Sequence, residues 1–318
     1  MKLEKFKKLF QFLYDGTTVG ATLYFIIKQQ GEMLVRRADI KESAQPELLN
    51  GFKEKIKEDI IENEDLFLLD ISSADDRKNV IYRYDLDEPP AELGVIDRIL
   101  EAKKETPFSF SQNRLTDIYA IVVLIGNHEH QLALYKKNYP VSLLKKETLA
   151  FIKGAKNRLE RLEDDILKLN NSYDFFKIEN TLFINKLAVM EKFFSFHEII
   201  QKNARISISV IEKTDLLENA TLLVEGMEDI SFSRKLTRIA TDSPVVKKKI
   251  PNSMVIKFTQ TFPSLVGKFK YTEDGKKIVL KTKKARNYFV KLLNDDFLTS
   301  ELTSEFYESR AKDKLENE

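Results

Sequence analysis

Apolar positions follow two rhythms along this chain. Up to about residue 185 they recur every second residue or run together, and from Leu187 they recur every third or fourth. In the first part, Ala21–Lys28 (ATLYFIIK) and Met33–Asp39 (MLVRRAD) predict a hairpin turning at Gln30-Gly31. Ile118–Ile125 and Gln131–Lys137 predict a second, across Gly126-Asn127-His128-Glu129. Asp65–Ile71 and Asn79–Asp85 read as strands, as do Asp174–Ile178 and Thr181–Asn185 around a Glu179-Asn180 turn. Residues 155–170 fit strand and helix equally. Helical spacing places Leu3, Phe6, Phe10 and Leu13 on one face of a first helix. It also predicts helices over Pro46–Glu62 and Pro90–Lys103, the latter with Pro in its first turn.

The second part predicts helices over Lys186–Asn203, Arg205–Leu217, Ile230–Thr241, Ser253–Phe262 and Lys283–Leu293. A hairpin interrupts them at Lys268–Lys281, and a last polar helix starts near Thr303. The expected fold is α+β in two closely packed domains. A mixed α/β module with hairpins spans 1–140, and a mainly helical half with a basic β-hairpin spans 141–318.

Composition narrows the chemistry. With 318 residues, 42% hydrophobic and 32% charged, the chain is expected to be soluble and globular. Its longest apolar run, Ile118–Gly126, is far shorter than the ~20 residues of a membrane helix, and the N-terminal apolar stretch is too short for a signal peptide. There is no cysteine, so disulfides, thiol nucleophiles and Cys-ligated zinc are excluded. Cytoplasmic residence is expected.

Charge changes the picture more. The net charge of +2 conceals a segment, Arg234–Lys291, with sixteen basic residues and only Asp242, Glu273 and Asp274 against them, or +13; the remainder carries −11. Such an imbalance is the footprint of a polyanion binder. The Asp274-Gly275 turn sets a register that opposes Tyr271 to Ile278 and Phe269 to Leu280 on an inner face. Lys268, Lys270, Lys277 and Lys281 fall on the outer face, with Lys268 opposite Lys281. Like charges so placed destabilise a ladder and become favourable beside phosphate. Lys247, Lys248 and Lys249 lead to a helix expected to be capped by Asn252 or Ser253, whose free N–H groups suit phosphate. Lys257, Lys276, Lys283, Lys284 and Arg286 complete the expected DNA-binding set. Thirteen of the sixteen cations are lysine. Lysine meets phosphate as a point charge, so contact independent of base sequence is expected. Helix, helix, hairpin is also the order of a winged-helix unit.

Catalytic patterns are thin. Asp97 with Glu101-Ala102-Lys103 has nuclease-like residue types but sits on a predicted helix, and His128-x-His130 lacks a third ligand. Asp295-Asp296 reads as part of a turn with Asn294 and Ser300. Gly16–Gly20 lacks the Lys-Ser/Thr of a P-loop. No catalytic residue, metal or cofactor is expected. A metal-dependent nuclease with an unrecognised site, a protein-only adaptor and a sequence-reading transcription regulator remain as alternatives.

Two stretches carry a resemblance. Asp174–Phe196 (DFFKIENTLFINKLAVMEKFFSF) has a hairpin ending in Phe-Ile-Asn, then a helix with Glu191, Phe193 and Phe194. Leu292–Leu315 closes the chain with Leu292, Leu293, Asn294, Asp295, Asp296, Leu298, Ser300, Leu302 and Thr303, then Tyr307 and Lys312. Over roughly residues 115–316 the sequence resembles the DUF4868 family, the KwaB-like proteins of the Kiwa anti-phage system. The first hundred residues cannot be matched to it. The resemblance implies a non-catalytic DNA binder that self-associates as a homodimer or higher homo-oligomer. It also implies a membrane-spanning KwaA-like partner that recruits the protein to the inner face of the membrane. It supplies no site residues; the basic set above comes from charge alone.

Overall fold

The structure is a computed structural model that describes residues 1–74, 78–86, 88–101, 106–144, 151–153, 159–161 and 165–309. Lys103, Lys312 and parts of the 155–170 stretch lie outside these. The fold is α+β, and it divides into two compact units. One comprises Met1–Leu68, Asn79–Tyr84 and Pro89–Phe194; the other comprises Leu69–Lys78, Asp85–Glu88 and Ser195–Glu318.

The first unit is built on an eight-stranded sheet. Its strands are β1 (Gly20–Gln29), β2 (Glu32–Arg37), β3 (Phe67–Asp70), β4 (Val80–Arg83), β5 (Ile118–Gly126), β6 (Gln131–Lys137), β7 (Phe175–Ile178) and β8 (Thr181–Ile184). They lie in the order β2-β1-β5-β6-β7-β8-β4-β3. Gln29 pairs with Glu32 across Gln30 (φ 51°) and Gly31 (φ 87°), so the first hairpin has the two-residue turn with both central φ positive that the sequence predicts. Strand β5 is apolar almost throughout because both its faces are covered.

One face of the sheet, with Phe25, Ile121, Val123, Leu134, Phe176 and Phe183, packs on Phe6, Phe10, Phe52 and Ile56. Those four come from α1 (Leu3–Lys8), the residues just after it, and α2 (Gln45–Ile56). Phe176 and Phe183 stack at 5.0 Å, and Phe6 lies 4.9 Å from Phe183. On the other face Tyr135, Phe175 and Phe194 meet edge-on or tilted. Between β6 and β7, Asp174 is 1% exposed, and one of its oxygens accepts the Lys137 N–H at 2.8 Å. The other lies 3.2 Å from the Lys186 ammonium. Helix α3 (Gly94–Glu101) places Asp97 in an ion pair with Lys177, which gives that carboxylate a structural partner.

In the second unit the helical rhythm is real, but its punctuation differs from expectation. Helix α4 (Leu187–Phe193) closes the first unit, and α5 runs unbroken over Phe196–Lys213, so the predicted break near Ala204 is absent. The chain breaks instead at Ser195, whose φ of 48° is left-handed. Ala204 and Ile208 continue the buried stripe of Ile200 and Ile211, so nothing interrupts the helix there. Helices α6 (Thr221–Gly226), α7 (Ile230–Asp242), α8 (Pro244–Lys247), α9 (Asn252–Thr261) and α10 (Lys283–Leu293) follow. Strands β9 (Lys270–Tyr271) and β10 (Ile278–Val279) form the basic hairpin, and β11 (Phe297–Thr299) pairs with β12 (Phe306–Glu308). The helix expected from Thr303 is therefore strand over Phe306–Glu308, because its alternating residues pair with Phe297–Thr299. One core, including Ile211, Leu223, Leu236, Leu265, Ile278 and Phe289, joins these elements.

Two outcomes test the first unit. A Cβ at Gly126 would lie 2.0 Å from the His130 carbonyl oxygen, at a φ of 156°. Gly126→Ala is expected to cost about 1–3 kcal/mol, read as a lower denaturation midpoint at unchanged slope. Lys137 is buried beneath Tyr119, and desolvation, helped by Lys28, pushes its ammonium down to about 8 from 10.5. The fold disfavours the charged form, so the penalty is complete below pH 8 and lifts as the unfolded lysine also loses its proton. Stability of the native chain relative to Lys137→Met should therefore rise between pH 8 and 10.5, measured by denaturant unfolding across that range.

Candidate nucleic-acid interface

The second unit turns its basic segment outward by packing the alternate residues inward. Phe269, Ile278 and Leu280 are buried, and the Tyr271 hydroxyl meets the Thr259 hydroxyl at 2.9 Å. Lys268, Lys270 and Lys281 are consequently exposed. The register is the one the turn predicts, Tyr271 with Ile278 and Lys270 with Val279, but the ladder stops there. Lys268 and Lys281 are not a strand pair; Lys268 still belongs to the run of turns that contains Gly267 (φ 71°), its N–H donating to the Leu265 carbonyl at 3.0 Å, so the strand starts late. At the tip, Gly275 donates to the Thr272 carbonyl at 2.9 Å. The Asp274 carboxylate accepts from the Thr272 hydroxyl at 2.6 Å and from the Lys276 N–H at 3.1 Å, bonds that hold its carboxyl below the usual carboxylate range.

The hairpin leads straight into α10. Thr282 caps this helix, its hydroxyl accepting from the Ala285 N–H at 3.1 Å. The first turn contains no acid and carries exposed Lys283 and Lys284, separated from exposed Lys281 by Thr282 alone. Helix stability favours acids at this end, where the dipole and free N–H groups are positive. Three lysines there raise local positive potential instead.

The remaining predicted residues divide. Lys247, Lys248 and Lys249 are exposed at the C-terminal end of α8, where cations suit the helix dipole, and Lys249 (φ 51°) closes the turn. Lys257 is exposed on the outer face of α9. Neither Asn252 nor Ser253 caps α9: Pro251 holds the cap position, and the Asn252 amide donates to the Thr214 carbonyl at 2.9 Å. The same Thr214–Leu216 segment meets the hairpin, since Leu216 O accepts from Ile278 N at 2.8 Å and Asp215 pairs with Lys277 at 2.6 Å. Lys213, Lys249 and Asn252 share a hollow of about 480 Å³ beside it. Exposed Lys213, at the end of α5, thus joins Lys249 although it lies outside the basic run, where a count along the chain misses it.

Some of the charge is already answered. Lys277 pairs with Asp215, Lys247 with Asp242 at 3.5 Å, and Lys276 with Asp274 at 3.9 Å. Lys248, Lys249, Lys257, Lys268, Lys270, Lys281, Lys283 and Lys284 have no carboxylate partner among the described residues. Arg286 does not belong to this surface. It is 8% exposed, with its guanidinium 4.1 Å from the Phe232 ring centre. A Cβ on Gly226 would lie 2.6 Å from the same guanidinium, so α6 needs glycine at this crossing. Position on α10 decides this: residue 286 falls on the inward stripe with Ala285 and Phe289.

The closing turn after α10 forms as the sequence suggests. Asp296 N–H reaches the Lys291 carbonyl and Asp295 N–H the Leu292 carbonyl, both at 3.0 Å, with Asp295 left-handed at φ 59°. His130 stacks on Phe12, and among the described residues no group of three His, Asp or Glu could hold a metal. No helix among the described residues is long and apolar enough to cross a membrane.

Fold and charge together define an α+β protein whose helical unit exposes eight lysines of its basic segment that have no carboxylate partner among the described residues. The family model described as Kiwa protein KwaB-like matches residues 115–303. The chain is 33% identical over 280 residues to the Kiwa protein KwaB of Escherichia coli O55:H7 (strain RM12579 / EPEC), covering 87% of this chain and 89% of that protein. It belongs to the KwaB-like family of Kiwa proteins. That coverage reaches into the first hundred residues, further than the motifs that carried the resemblance. No solved structure matches the chain.

The buried arginine supplies a test that separates packing from binding. Arg286→Ala is expected to lower stability by about 2 kcal/mol through loss of its stem and its ring contact. DNA affinity per folded molecule should not change, as read by denaturant unfolding and fluorescence anisotropy on the same preparation.

Proposed function

We propose that this Kiwa defence protein acts by holding DNA on the lysine face of its helical unit, without catalysis and without reading base sequence. The observation that carries the proposal is the acid-free N-terminus of α10. There Lys281, Lys283 and Lys284 stand exposed, as do Lys268 and Lys270 where the hairpin begins, with no carboxylate partner among the described residues. These ammonium groups match a line of phosphates as point charges, and the helix end adds N–H donors. Lys249 and Lys213 extend the reach past the Thr214–Leu216 segment. The proposal includes residence in the cytoplasm, self-association, and attachment to the membrane through a KwaA-like spanning partner.

Counterion release gives the measurable consequence. With about six phosphates engaged, affinity for duplex DNA should fall by roughly 10³ between about 50 and 200 mM salt, equally for two unrelated sequences. Changing Lys268, Lys270, Lys281 and Lys284 together to Gln should reduce the slope of log affinity against log salt by about four. Fluorescence anisotropy across a salt series reads both. A folded variant with an unchanged slope would remove the surface from the mechanism. Absence of duplex binding at about 100 mM salt would favour a protein-only adaptor.

A further inference from the structure

The basic segment contains a second group of cations that the lysine face does not use. Arg234, Lys235 and Arg238 lie on α7, and with Lys291 of α10 they line a cavity of about 250 Å³. Its other wall is the turn after α10, with Asn294 and Asp296, and the end of β12 at Glu308. This wall is tied in place. The Asn294 amide donates to the Lys235 carbonyl at 3.3 Å, and Ser309 N–H donates to the Asp296 carbonyl at 2.8 Å. Lys291 pairs with Glu308.

The cations outnumber the acids. Among the described residues the lining has four basic side chains and two carboxylates. Lys235 has no carboxylate partner among the described residues. The Arg238 Nε lies 3.7 Å from Asp242, an ion pair too long to be a hydrogen bond, so its donors remain available. Arginine donors in a partly enclosed space suit a phosphate. The carboxylates of Asp296 and Glu308 would repel a bare anion but accept hydrogen bonds from hydroxyl groups. A ligand that satisfies both halves carries a phosphate and a hydroxylated sugar. The volume lies just below the usual range for small-molecule sites and suits one nucleotide, not a duplex.

We infer that this cavity binds the phosphate and sugar of a single nucleotide, with Arg234, Lys235, Arg238 and Lys291 on the phosphate and Asp296 on a sugar hydroxyl. It is separate from the lysine face, and the inference does not rest on duplex binding there. The nucleotide could be free or the phosphorylated terminus of a DNA strand; the recognised chemistry is the same.

Isothermal titration calorimetry of the full chain with AMP, adenosine, ribose 5-phosphate and inorganic phosphate tests it. AMP and ribose 5-phosphate should bind saturably and adenosine at least about tenfold more weakly, because charge-assisted bonds to phosphate carry the affinity. The double variant Lys235→Gln/Arg238→Gln should lose about tenfold or more for AMP. Asp296→Asn should weaken AMP but not inorganic phosphate. The Lys268/Lys270/Lys281/Lys284 to Gln variant should bind AMP like the native chain, which keeps this result distinct from that for the lysine face. Preference for a 5′-phosphorylated over a 5′-hydroxyl oligonucleotide would assign the strand terminus as the source, and equal binding of the two beside tight AMP would assign the free nucleotide; both uphold the site. No saturable AMP binding at millimolar concentration would overturn it. So would adenosine binding as well as AMP, or undiminished AMP binding by a Lys235→Gln/Arg238→Gln variant with a native melting curve.

Discussion

Burial of a few apolar side chains decides where the charge of the second unit goes. Phe269, Ile278 and Leu280 on the hairpin and Ala285, Phe289, Leu292 and Leu293 on α10 are taken into one core. Each large apolar side chain buried contributes about 1.5–3 kcal/mol, whereas an exposed ion pair contributes about 0–1. Packing therefore sets the orientation and the lysines follow. The mutual repulsion of exposed ammonium groups, screened over about 8 Å at physiological salt, is too weak to reverse it.

That hierarchy also sorts the cations by type. All three arginines of the basic segment are drawn inward: Arg286 is buried on Phe232, and Arg234 and Arg238 are half-buried on α7. Most of the lysines stay in water. A guanidinium is planar and weakly hydrated, so it tolerates a ring face or a cavity wall; an ammonium keeps its hydration and its mobility. The positive excess along the chain thus divides between exposed lysines and arginines that line a cavity or the core.

The sheet unit handles buried charge by neutralising or satisfying it. Asp174 is held by a backbone N–H and the Lys186 ammonium, and Lys137 by the Tyr119 ring and carbonyl. Both sit where β6 and β7 meet, which needs a polar contact because Tyr135, Phe175 and Phe194 fill the adjoining space. Membership of the KwaB-like family attaches to a chain whose second unit exposes many lysines and lines a cavity with arginines of α7.

The sequence alone determined the α+β class, the main hairpins, most helices, and the basic segment, because periodicity and turn residues act over a few neighbours. Asp274-Gly275 fixed the pairing of Tyr271 with Ile278 in this way. It also determined that lysine outnumbers arginine thirteen to three in the basic segment. Tertiary structure alone decided that Lys277 is answered by Asp215, that Arg286 is buried and that Lys213 joins Lys249. It likewise decided that Phe306–Glu308 pairs as strand instead of continuing as helix, and that Arg234 and Lys291 line one cavity. Each of these depends on contact between residues far apart in the chain, and local pattern holds no information about which distant side chain will arrive.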